Sequence, residues 1–174
     1  MLVNAIIIYV LWCIAGYAVM EALYDIGVEA LPNVRRRWVY YLLQFTWGLP
    51  MNAAGLVVAG VLFLCGKLPH RYGWNYCFEV SGNFGLELGI FFIAPKGGST
   101  STKNHEVGHS IQNIYFGPFA IGMVSIPSVV RFWVRRIKRK VGRPPKTQYD
   151  DAWFEGQATK TGDAFMAIME KERK

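Results

Sequence analysis

Charge is missing from two long stretches of the chain. Met1 to Met20 carries none, and neither does Trp38 to Gly66, a run of 29 positions. The first matches the ~20 apolar residues that cross a bilayer as a helix. It lacks the basic start of a secretory signal and is too apolar for too long, so a retained transmembrane helix over residues 2–20 is predicted. Residues 21–37 form a polar connection with a turn signal at Pro32-Asn33, closing on Arg35-Arg36-Arg37. As one straight helix the second run would be about 43 Å long, against about 30 Å of hydrocarbon. Gly48-Leu49-Pro50 offers a break. Tyr40, Tyr41 and Trp47 suit an interfacial belt, and Gly55 with Ala59 gives a small face for close packing. The pattern predicts a second spanning helix over residues 51–66, entered through an aromatic interfacial turn.

From Lys67 the texture changes. Trp74 to Ala94 alternates and is rich in aromatic and β-branched residues, and Ser81-Gly82-Asn83 is a turn signal. A β-hairpin follows, with Leu86 to Ile93 as its second strand. That strand could pair an extended peptide along its free edge, or merely cover the next helix. Lys96 to Thr102 supplies Ser and Thr caps for a helix reaching Tyr115 and stopped by Gly117-Pro118. Ile114 to Val130 is again uncharged, but Gly117, Pro118, Gly122 and Pro127 interrupt it. Arg131 to Lys146 then holds eight Lys or Arg and no acid, the mark of a headgroup-facing segment. A last amphipathic helix spans residues 149–171, burying Tyr149, Ala152, Ala158, Phe165 and Met169.

A length of 174 residues fits one compact region plus membrane segments, and the net charge is +7. A basic chain can bind nucleic acid. The uncharged runs instead assign the charge to anionic lipid, so the bilayer is an expected partner and nucleic acid is not. Cys13, Cys65 and Cys77 form no CxxC pair and read as free thiols.

The chemistry gathers at HEVGH. His105 and His109 are two of only three histidines in the chain, four residues apart and so about 40° apart on one helix face. Both can reach one ion, with Glu106 beside it, as in the H-E-x-x-H pattern where histidines hold zinc and the glutamate is a general base. Gly108, poor in a helix, marks close approach of another backbone or a ligand. Catalytic zinc takes three protein ligands, and no histidine follows His109. Asp150, Asp151, Glu155, Asp163, Glu170 and Glu172 are the available acids. Glu155 stands out as a lone acid among Trp153, Phe154 and Ala158, costly unless paired or metal-bound.

HEVGHSIQNIYFGP, then IPS, then WFEGQATKTG, resembles the small gluzincin-type metallopeptidases, particularly their membrane-bound minimal members, over roughly residues 76–168. The resemblance implies that His105, His109 and Glu155 bind zinc and that Glu106 is the catalytic base in peptide-bond hydrolysis. Larger gluzincins often carry an acid four residues beyond the ligand glutamate. Thr159 stands there, and Asp163 is the nearest substitute for that supporting acid. Tyr149, Tyr115 and His70 are the candidate donors to a developing oxyanion.

One conflict decides the architecture. If residues 114–130 crossed the bilayer, His105 and Glu155 would lie on opposite sides, which bonds of about 2 Å forbid. The segment is therefore expected to be re-entrant or interfacial, turning near Ser125 to Ser128. The expected fold is an α+β membrane protein. Residues 1–66 form a two-helix anchor, and residues 67–174 form a minimal zincin core of β-hairpin, HExxH helix, apolar insertion at 114–130 and Glu-bearing helix. Sixteen of the 19 Lys and Arg would share the zinc side, making it cytoplasmic in a multi-pass protein of the cell membrane, with only Arg35 to Arg37 opposite. The expected partner is a membrane-proximal peptide or protein substrate. The competing class is a non-catalytic, zinc-stabilised scaffold or inactive relative, in which Glu106 would have no task.

Overall fold

The computed structural model describes residues 1–27 and 29–173. Six helices surround a small sheet: α1 (Leu2–Asp25), α2 (Arg37–Phe45), α3 (Leu49–Leu64), α4 (Thr100–Phe116), α5 (Ile126–Lys140) and α6 (Trp153–Arg173). The strands are β1 (His70–Tyr72), β2 (Asn75–Val80), β3 (Leu86–Leu88) and β4 (Phe91–Pro95). The α+β class expected from the sequence is the class observed.

Helix α1 runs five residues beyond the expected Met20. It is long and apolar enough to cross a membrane, and is the only single helix among the described residues that is. Tyr9, Cys13, Tyr17, Met20 and Tyr24 recur along one side and pack on the later helices, while Ile6, Ile7, Leu11, Ile14 and Val19 stay exposed. That exposed face is one continuous apolar surface along the helix.

The second uncharged run breaks where Gly48-Leu49-Pro50 indicated. Helices α2 and α3 meet at 88°. At 16 residues α3 rises only about 24 Å, short of the hydrocarbon thickness. Its buried edge is Met51, Asn52, Gly55 and Ala59, which includes the predicted small pair. Leu88's backbone carbonyl lies so close to Gly55 that a Cβ there would collide with it.

The expected two-stranded hairpin is replaced by a four-stranded sheet in the order β1-β2-β4-β3. Strand β2 pairs β4 in parallel, Tyr76 opposite Phe91 through Val80 opposite Pro95, and β3 is antiparallel to β4. The single strand read over Leu86 to Ile93 is cut at Gly89, whose φ of +75° suits only glycine. Asn52 of α3 fixes that cut by accepting a hydrogen bond from Ile90 N (2.9 Å). The Ser81-Gly82-Asn83 bend becomes part of the crossover that carries the chain to the far edge.

Helix α4 begins as read, with Ser99 Oγ accepting from Thr102 N (3.2 Å), and ends at Gly117. The apolar insertion then doubles back: residues 100–119 and 121–140 are bent by 118°. The turn sits at Gly117-Pro118-Phe119-Ala120, upstream of the expected Ser125 to Ser128. Pro127 is tolerated in the first turn of α5, where its missing N–H costs nothing. This bend meets the α2–α3 bend. Trp47's indole occupies the place of a Gly117 side chain and packs edge-on against Phe119 at 6.2 Å, while Tyr9 OH donates to Pro118 O (2.9 Å).

Buried amides tie the bends to the sheet. Gln44 donates to Ser110 O (2.9 Å), and its Oε1 accepts from Asn52 (2.6 Å) and Asn113 (2.7 Å). Asn75 donates to Tyr40 OH and Ser110 Oγ. The connection from α1 to α2 is joined to α4 and α6: Leu31 N donates to Thr161 Oγ1 (2.9 Å), Tyr115 OH donates to Pro32 O (2.7 Å), and Glu29 pairs with Lys160.

Candidate metal centre

Helices α4 and α6 lie against each other at backbone distance. A Cβ on Gly108 would strike the carbonyl of Ala158, and one on Gly162 would strike that of Asn104. The close approach that Gly108 announced is thus another backbone. It brings Glu155, in the first turn of α6, against the face of α4 that carries both histidines.

His105 Nε2 stands 3.1 Å from His109 Nε2 and 3.1 Å from Glu155 Oε2, and His109 Nε2 stands 3.3 Å from Glu155 Oε2. These atoms form a nearly equilateral triangle. A tetrahedral ion with bonds of 2.0–2.1 Å separates its ligand atoms by about 3.3 Å. The three side chains could hold a metal ion. Of the acids open as third ligand in the sequence, only Glu155 joins the histidines.

The supports are equally specific. His105 Nδ1 meets Thr159 Oγ1 at 2.8 Å, and His109 Nδ1 meets Gln112 Oε1 at 2.7 Å. An amide oxygen can only accept, so His109 carries its proton on Nδ1 and turns the Nε2 lone pair to the centre. Gln112 is held in turn by donating to Phe154 O (2.9 Å) and Gln157 Oε1 (3.1 Å). Ser128, at the start of α5, donates to Glu155 Oε1 (2.7 Å) and leaves Oε2 for the ion.

The electrostatics follow from burial and charge. Burial works against the ionised carboxylate of Glu155, but hydrogen bonds and charge from His105 and His109 outweigh it and hold its pKa well below the carboxylate range. Burial likewise opposes a proton on His109, yet the hydrogen bond and charge of Glu155 push it up to about 9. An anion between two imidazoles is a cation site by composition. Glu106 lies beside the triangle rather than in it, so tight against Gly85 that a side chain there would overlap its carboxylate. Burial raises the Glu106 pKa, with the histidines opposing. Glu87 of β3 is a third buried acid, pushed up to about 8 by burial.

The remaining sequence candidates separate cleanly. Tyr149 belongs to the site: its ring is 6.2 Å from that of His105, and its phenol adjoins Ser128 and Glu155. Tyr115 is spent on Pro32, and His70 is exposed on β1 at the sheet edge away from β3, so neither is brought to the cluster. Thr159 itself supports His105 where an acid was expected. Asp163 is not the substitute; it accepts from Asn104 (2.7 Å). Gln112, Ser128 and Glu87 escaped the sequence reading. Glu87 could have been found by the criterion that found Glu155, a lone acid in an apolar run. Gln112 sits at the i+3 position on His109's face. Nothing local marks Ser128, which reaches the site only because the insertion folds back.

The chain matches no protein-family model, no curated protein and no solved structure. The centre is therefore read from its own atoms.

Thr159→Ala and Gln112→Ala should each weaken metal binding about 10–100-fold, the usual cost of losing a ligand's supporting partner. Chelator competition on detergent-purified protein measures this. Unchanged affinity in both variants would mean that these contacts do not orient the imidazoles.

Proposed function

We propose that this protein is a membrane-bound zinc endopeptidase, a minimal gluzincin-like enzyme. The observation that carries the reading is the His105–His109–Glu155 triangle with a fourth buried side chain, Glu106, beside it but outside it. Two nitrogens and one carboxylate oxygen are a donor set that suits zinc. Bound there, zinc would supply Lewis-acid activation of water and polarisation of a peptide carbonyl.

The chain's own residues do the rest. Glu106 is the general base: its burial lifts its basicity, so it can take a proton from water and pass it to the leaving amine. Ser128 keeps Glu155 oriented, while Thr159 and Gln112 keep the imidazoles aligned. Tyr149, pushed above the ordinary phenol range by burial and by Glu155, stays protonated and can donate to the oxyanion. Against the scaffold alternative, a structural site would not need a further buried carboxylate beside its ligands.

We also place the protein in the cell membrane, with the site facing the cytoplasm. Two crossings would set Arg35 to Arg37 opposite the site. The bonds from Leu31 and Pro32 to α6 and α4, and from Tyr41 OH to Trp74 O (2.8 Å), favour a different arrangement. Here α1 alone crosses, and both bent pairs dip into the same leaflet and return. The 18 Lys and Arg of the described residues then share one side, in accord with charge bias.

Glu106→Gln should keep its metal and lose peptidase activity by about 10²–10⁴-fold, because it removes a base but no ligand. Cleavage of a peptide library in liposomes is the assay, and equal activity in both proteins would sink the mechanism. Single cysteines replacing Arg35 and Lys146, in a Cys65→Ser background, should react with an impermeant thiol reagent from the same side. Labelling from opposite sides would restore the second crossing.

A further inference from the structure

Helix α5 has two faces with different tasks. Inward, Ser128 holds Glu155, while Arg131 donates to Gln148 O (2.8 Å) and Tyr149 O (3.0 Å) and Arg135 to Thr147 O (3.0 Å). Both guanidinium groups also lie over the Tyr149 ring, at 5.9 and 5.6 Å. The helix thus grips one ligand of the centre and the loop that carries its tyrosine.

Outward, Val130, Trp133, Val134, Ile137 and Val141 recur at i, i+3, i+4, i+7 and i+11, a stripe about 100° wide, and all are exposed. Arg136, Lys138 and Lys140 flank it and Arg139 lies behind it, all exposed and in no ion pair among the described residues, with Arg143 and Lys146 just beyond. No acid occurs between Glu106 and Asp150.

We infer that this face docks on an anionic bilayer surface, and that docking tightens the metal centre through Ser128 and through Arg131 and Arg135. Charge names the occupant: an apolar stripe edged with unpaired cations fits acidic headgroups over acyl chains. A second copy of the same face would set cations against cations. An acidic soluble protein is disfavoured by position, because α5 follows directly from residues 121–125, which pack on the membrane-crossing α1 through Gly122 against Cys13 and Met123 against Gly16. Trp133 at the rim suits the interface. The coupling part rests on the metal centre proposed above; the docking part does not.

The test uses the full chain in nanodiscs of phosphatidylcholine alone or with about 30% phosphatidylglycerol. A nitroxide on Ile137→Cys, in the Cys65→Ser background, reports depth by its collisions with oxygen against a nickel chelate. Chelator competition reports zinc affinity in the same discs. Anionic lipid should move the label into the bilayer and raise zinc affinity about 5–10-fold or more. The variant R136Q/K138Q/R139Q/K140Q should lose both differences, because these side chains hold neither Glu155 nor the Tyr149 loop. A label equally water-exposed in both discs overturns the docking. A buried label with equal zinc affinity overturns the coupling. Absence of bound zinc in either disc would remove the metal centre and the coupling together, while label depth still decides the docking.

Discussion

Everything in this molecule depends on how closely α4 and α6 approach. A carboxylate in the first turn of α6 can meet two imidazoles on α4 only if the backbones nearly touch, and Gly108 and Gly162 are the two positions where they do. A methyl group at either would push the helices apart, and misplacement of a ligand atom by ~0.5 Å already spoils a site of this kind. The approach is fixed from outside by burial of Val107 and Ile111 on one helix and Phe165 and Met169 on the other. The buried Glu155 charge makes the arrangement worthwhile only when a partner is present. Left alone in an apolar helix contact it would be strongly destabilising, and the two imidazoles are its answer.

The apolar insertion between these helices serves the same end. It leaves α4, turns at Gly117 to Ala120 against Trp47 and Tyr9, and returns with Ser128 aimed at Glu155 Oε1. A straight crossing would have separated the ligands by the thickness of the bilayer. The α2–α3 bend meets this turn tip to tip, and the amides of Asn52 and Asn113 donate to the carbonyls of Gln44 and Gly48 at the kink. Irregular backbone at membrane depth is tolerated where protein supplies the hydrogen bonds. In the proposed placement, with both bends dipping into the bilayer, that is the task of these otherwise costly buried polar groups.

How much of this could be read from the sequence depended on whether the signal was local. His105, Glu106 and His109 are legible because helix periodicity alone puts them together. Glu155 is legible because an acid set among aromatics is stable only with a cation or a proton to meet its charge. Gly108 announced a backbone contact without naming its partner. The sheet was misread as a hairpin: β1 and the parallel pairing of β2 with β4 were not foreseen, and Gly89 looks like part of a strand until Asn52, far away in sequence, shows that the chain turns there. The fold-back was inferred from the ligand geometry, but its turn was set at Pro127, a residue that starts a helix as readily as it ends one. Ser128 and the accommodation of Thr159 depend on tertiary placement and left no local trace, whereas Gln112 is marked only by its i+3 spacing from His109. The second crossing was read from an uncharged run alone and left Arg35 to Arg37 opposite the other cations; the contacts that tie the preceding connection to α4 and α6 left no local trace.

X-ray absorption at the zinc edge on detergent-purified wild-type protein bears most directly on the centre. Two imidazoles and a carboxylate require nitrogen and oxygen scatterers at about 2.0–2.1 Å, four-coordinate, with the outer-ring signature of two histidines and no sulfur. A shell at about 2.3 Å, the distance of a thiolate, or a spectrum lacking the imidazole pair would place the metal elsewhere and contradict the assignment of His105, His109 and Glu155.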